Sequence, residues 1–161
     1  SPLRKDKSWL YEGGIRVPLI VKWPGRVDAG TVCHEPVIGS DLYPTIAELA
    51  GDEARPGEPL DGVSLVPLME GADRLNRDAL YWYYPHYPKS KEPGAAIRKG
   101  NYKLIDFYDP PSMELYNLAN DLSEQHNLVE QMPEKAESLR AELYRFLDRV
   151  DAKMHTLNPN R

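Results

Sequence analysis

The first residues whose types and spacing could do chemistry are Arg4, Lys5, Lys7 and Arg16, four cations set around the Gly13-Gly14 pair. Ammonium and guanidinium groups donate hydrogen bonds, and a glycine backbone lets its N–H groups come close to a ligand. This set therefore suits an anionic group. The same composition also describes a solvated basic loop, and spacing alone leaves both readings open. His34 and His86 stand apart, with no second histidine or paired carboxylate at metal-ligand spacing, so each reads first as a structural or surface residue. The aromatic run "YWYYPHY" (81–87) suits stacking on the apolar face of a sugar, and equally a strand packed beneath a helix. No phosphate loop, nucleophile elbow or paired-cysteine pattern occurs. The single cysteine, Cys33, excludes an internal disulfide and a cysteine-rich zinc site.

Elements must hold these groups in place. The chain's 161 residues suit one domain or a piece of a larger one, and 41% apolar residues are enough for a core. A net charge of −5 argues against nucleic acid as a partner. No apolar run approaches the roughly 18 residues of a membrane span. Ser1 shows no signal-peptide pattern, so any targeting segment is expected to have been removed or to lie upstream. "VPLIVKW" (17–23) reads as a buried strand closed by Pro24-Gly25. "GSDLYPTIAELAG" (39–51) reads as a helix capped by Ser40 or Asp41, burying Leu42, Ile46 and Leu49. Strand, loop and helix make half of an α/β unit.

A boundary is expected between about residues 71 and 79, and the pattern beyond it is antiparallel. Strands are predicted over 79–87, 95–100, 102–108 and 113–118, with a hairpin turn at Lys99-Gly100-Asn101. The spacing of Ala136, Leu139, Leu143, Phe146, Leu147 and Val150 predicts a helix over 133–154, with Pro133 in its first turn. The economical arrangement is a small antiparallel sheet with this helix on one face.

The segment "LRKDKSWLYEGGIRVPLIVKWPG" (3–25) resembles the late part of the catalytic domain of type I sulfatases, the arylsulfatase family. The likeness continues in order through "SDLYPTIAELAG", "LDGVSLVPLMEG", "LYWYYPHY", "AIRKGNYKLI" and "ELYNLANDLSEQHNL". It implies an α/β (α+β) chain. Residues 1–75 would supply the last strand and helix of the large sulfatase α/β domain. Residues 76–161 would form a small subdomain, an antiparallel sheet packed on the C-terminal helix.

By the same resemblance Lys7, four residues before Tyr-Glu-Gly-Gly, is the catalytic lysine that contacts a sulfate oxygen. Glu12 and Arg16 would brace the turn. The family's formylglycine nucleophile and its calcium belong to the intact enzyme. Cys33 has no arginine four positions on, and the calcium ligands have no counterpart here, so no metal ligand is assigned and the segment alone is expected to be inactive. Where related sulfatases often show Leu-Tyr-Trp-His-Tyr-Pro-His-Tyr, Tyr83 replaces the first histidine and His86 remains as a candidate substrate contact. The implied substrate is a sulfated small molecule or carbohydrate, in a periplasmic, extracellular or lysosomal compartment, with no nucleic-acid or membrane partner. Rival readings are a phosphodiesterase or phosphonate hydrolase of the wider alkaline-phosphatase superfamily, and a non-catalytic binding module. The isolated segment is expected to self-associate through residues 17–23, or to leave residues 1–70 loosely ordered.

Overall fold

In the computed structural model, residues 2–52, 60–86 and 92–154 are described. The elements run in chain order as α1 (Glu12–Ile15), a 3₁₀ turn (Gly39–Asp41), α2 (Leu42–Leu49), α3 (Val66–Met69), β1 (Leu80–Tyr84), β2 (Gly94–Lys99), β3 (Tyr102–Tyr108), β4 (Pro111–Asn117) and α4 (Pro133–Arg149). Residue 87, the expected end of the first strand, lies outside the described residues. No described helix is long and apolar enough to cross a membrane.

The chain divides into two compact units, residues 1–17 with 78–161, and residues 18–77. The first unit thus joins the N-terminal segment to the C-terminal part of the chain. In the first unit β1 to β4 form an antiparallel sheet in sequence order. β2 turns into β3 through Gly100, whose φ of +57° is the left-handed conformation that a tight hairpin demands. Side chains alternate across the sheet. Ala95, Ile97, Leu104, Tyr108 and Leu115 pack on Ala136, Leu139, Leu143 and Leu147 of α4, as the helical stripe predicted. Each of these leucines, fully buried, contributes about 1.5–3 kcal/mol. Val150, expected in the same stripe, lies past the helix end and is 46% exposed.

The other face of the sheet is covered by the N-terminal segment. Leu10 and Tyr11 pack on Ala96, Ile105, Phe107 and Tyr116, with Trp9, Trp82 and Tyr84 at the margin. The sheet is thus a middle layer, with α4 on one side and the loop before α1 on the other.

In the second unit a buried carboxylate gathers the chain. Asp41 accepts the N–H of Ile38 at 2.8 Å and of Val63 at 3.1 Å, and pairs with Arg77 Nη1 at 2.6 Å. Thr45 Oγ1 donates to the Asp41 carbonyl and accepts from the Leu65 N–H. Two expectations are corrected here. Residues 17–23 form no strand, and Val17 and Ile20 are 81% and 89% exposed. An apolar strand of an α/β sheet needs neighbours on its edges and both faces, and no described segment pairs with it. Helix α2 forms as predicted but buries Pro44 and Thr45, while Leu42, Ile46 and Leu49 face outward. Its polar connection to Val63, Leu65 and Arg77 decides which side turns in.

Candidate active site

The loop of residues 4–13 closes on itself through one backbone hydrogen bond, from Gly13 N–H to the Arg4 carbonyl at 2.9 Å. A Cβ on Gly13 would stand 2.3 Å from the carbonyl oxygens of Arg4 and Lys5. A Cβ on Gly14 would stand 2.1 Å from that of Trp9. Both distances are far inside contact, so only glycine lets the chain return this close to itself. Lys7 lies exposed in the turn, between Lys5 at φ +62° and Ser8 at φ +74°. A left-handed non-glycine residue costs on the order of 1 kcal/mol, so the surrounding structure must hold the two in place.

Both ends of the loop stand on Glu124. At one end Arg4 Nη1 donates to the Glu124 carbonyl at 2.7 Å and to the Tyr116 hydroxyl at 2.8 Å, while its guanidinium lies 4.0 Å above the Tyr11 ring. At the other end the Glu12 N–H donates to Glu124 Oε2 at 2.6 Å. Lys103 Nζ closes the circuit, donating to Glu12 Oε1 at 3.0 Å and to Glu124 Oε1 at 2.8 Å. Glu12, Lys103 and Glu124 are all essentially sealed from solvent. A single ammonium faces two carboxylates, and burial pushes the Glu124 carboxyl up against the opposing pull of Lys103. Arg16 reaches Glu12 Oε2 at 3.5 Å, the bracing that the resemblance implied. Tyr11 and Tyr116 both donate to Glu114 Oε2, at 2.7 and 2.8 Å. Burial, followed by that acceptor, pushes both phenols up, so they act as neutral donors.

His86 is exposed just past β1, its ring edge-on to Tyr84 at 5.7 Å. The aromatic run serves packing on both faces. Tyr81 stacks on Phe146 of α4 with centroids 3.8 Å apart, and Trp82 and Tyr84 border the cluster around Tyr11. Tyr83 points to the α4 side, tilted against Tyr108, and donates to the Lys153 carbonyl. The tyrosine that stands in place of the histidine of related sulfatases thus packs on the α4 side of the sheet. In the second unit Cys33 is an exposed free thiol and, with His34, lines an open cleft of about 570 Å³. Among the described residues no three His, Cys, Asp or Glu side chains could hold a metal ion.

Residue-type reasoning did not single out Arg4 as a clamp, nor Lys103, Glu114 and Glu124 at all. A signal for Lys103 was present. In "YKLIDFY" a lysine shares its face with Ile105 and Phe107, and a charge on an apolar face needs a buried partner. Nothing local names that partner.

Residues 4–153 match the family described as N-sulphoglucosamine sulphohydrolase, C-terminal. This chain belongs to the sulfatase family. The sulfatase segment is 38% identical over 144 residues to a sulfatase of Formosa agariphila, covering 83% of the chain and 26% of that protein. It is 35% identical over 150 residues to arylsulfatase A of Homo sapiens, covering 79% and 29%. Among solved structures, Ps i-CgsB in complex with k-i-k-neocarrahexaose superposes with a TM-score of 0.77 at 30% identity, covering 90% of this chain and 32% of that one. A protein in complex with its substrate D-glucosamine-2-N,6-O-disulfate gives a TM-score of 0.69 at 27% identity, covering 80% and 27%. A phosphonate monoester hydrolase from Silicibacter pomeroyi shares the fold, at 22% identity and a TM-score of 0.59 over 80% of this chain and 28% of that one. The sulfatase segment therefore spans about a quarter to a third of the length of these relatives, and its mixed fold, a four-stranded antiparallel sheet with a C-terminal helix, is that of the C-terminal region of sulfatases.

Proposed function

We propose that this domain works within an enzyme hydrolysing sulfate esters of carbohydrates, and that Lys7 contacts the sulfuryl group. The observation that carries the reading is the Lys7 loop itself. Its lysine is exposed in a turn whose two ends are clamped to the sheet, flanked by two left-handed residues that only an over-determined loop retains. An ammonium held in this way can donate to sulfuryl oxygens, and its charge favours the negative charge that grows on them as the ester bond breaks. The substrate class is supported by the relative bound to a disulfated glucosamine. His86, exposed just past β1, is assigned a substrate contact.

Calcium and formylglycine are assigned to the intact enzyme. The described residues do not fit a metal site. On family grounds residues 1–75 would close the catalytic α/β domain, residues 76–161 would form the small subdomain, and the compartment would be periplasmic, extracellular or lysosomal. The phosphonate hydrolase that shares the fold makes phosphonate hydrolysis the second reading.

The test is Lys7→Ala in the intact enzyme, assayed on sulfated sugars, aryl sulfates and phosphonate esters. Loss of one transition-state donor is expected to lower kcat by roughly 10²–10³ on the preferred sulfated sugar. Wild-type kinetics would leave Lys7 a surface lysine, and a preference for phosphonates would favour the second reading.

A further inference from the structure

We propose that Lys103 and Glu124 are positioning residues that set where Lys7 stands, so that the C-terminal sheet is the aiming device of the active-site loop. This rests on the reading of Lys7 given above. The hydrogen bonds form a closed circuit: Glu12 N–H donates to Glu124 Oε2, and Lys103 Nζ donates both to Glu124 Oε1 and to Glu12 Oε1. Glu12 is thereby held by its backbone and by its side chain at once. Arg4 at the opposite end of the loop bonds to the carbonyl of the same Glu124. One residue thus fixes both ends, and the Gly13–Arg4 backbone bond ties the ends together. Between them the path to Lys7 is short on both sides, so displacement of either end displaces the ammonium.

The choice of charges supports a directional role. A buried ion triad is an expensive way to gain stability, since apolar residues of similar volume commonly do as well. Lys103 lies between Leu104 and the strand start, on a face otherwise packed by Ile105, Phe107 and Tyr116. An apolar side chain there would fill space, but it would not specify the position of the Glu12 backbone. Hydrogen bonds of fixed length and direction do so. Placement to within about 1 Å is worth on the order of 10²-fold in rate, so a device that fixes the loop bears on catalysis more than on folding.

The experiment uses the intact enzyme and a double-mutant cycle. Lys103→Met and Glu124→Gln are expected to lower kcat by roughly 10-fold or more while KM changes less, as a misplaced transition-state donor requires. Combined with Lys7→Ala, neither is expected to lower kcat further, because each acts through Lys7. Losses that multiply in the double variants would overturn the proposal while leaving Lys7 catalytic. A silent Lys7→Ala would overturn both readings. Lys103→Arg guards against a variant that does not fold, since it keeps the buried charge on a longer, forked donor. That enzyme is expected to keep its melting temperature within a few degrees and to lose kcat, and retention of full kcat would overturn the proposal.

Discussion

The amide of Glu12 donates to the carboxylate of Glu124 at 2.6 Å, joining two acidic residues 112 positions apart in a site that excludes water. Burial raises the Glu124 carboxyl above its ordinary value of 4.5, with Lys103 and the Glu12 N–H pulling the other way. A group whose folded pKa is raised binds its proton more tightly folded than unfolded. Its contribution is full below about pH 4.5 and is lost as pH rises through the folded value. The stability of the chain minus that of Glu124→Gln is therefore expected to fall as pH increases above 4.5, then level off. Denaturant unfolding at a series of pH values measures it. A difference that rises with pH would mean that folding lowers the affinity of this carboxyl for its proton instead of raising it.

Gly13 and Gly25 make a contrasting pair. A methyl group on Gly13 meets two backbone carbonyls, whereas Gly25, at φ +79°, has nothing within 4 Å of its added Cβ. Gly13→Ala is expected to cost about 2–4 kcal/mol through overpacking and loss of its bond to Arg4. Gly25→Ala should cost only the left-handed penalty, on the order of 1 kcal/mol. Unfolding midpoints of the two variants check the difference.

Arg77 is the cation that answers the fully buried Asp41. Arg77→Met would leave that carboxylate without its charged partner, at a cost of about 3–5 kcal/mol. The expected signature is local. Hydrogen exchange at the amides of Ile38 and Val63, which bond to Asp41, should quicken, while the amides of β3 keep their protection. Equal loss of protection in both places would contradict this.

Val17, Leu19, Ile20 and Val21 are exposed in one run, and Leu42, Ile46 and Leu49 of α2 are exposed as well. Exposed apolar side chains of this kind favour association. The isolated chain is expected to self-associate, and Ile20→Lys to shift it towards monomer in light scattering. A wild-type chain that remains monomeric at every concentration would overturn this.

The periodicities of 2.0 and 3.6 residues that define strands and helices are local, so β1 to β4, the turn at Gly100 and the face of α4 were all legible in the amino-acid order. The family, too, was legible, in motifs that keep their order from residue 3 to residue 128. Tertiary structure decided what those motifs rest on. That "LYEGG" forms a layer over the sheet follows from Leu10 and Tyr11 meeting Phe107 and Tyr116, about a hundred positions later. That Glu12 is buried follows from Lys103 and Glu124 arriving beside it. The orientation of α2 was likewise undecidable locally. Its apolar stripe argued for burial, yet hydrogen bonds from Val63, Leu65 and Arg77 turn the side bearing Asp41 and Thr45 inward. Burying a charge requires a partner of opposite sign within bonding distance, and which one arrives is settled only when distant segments pack together.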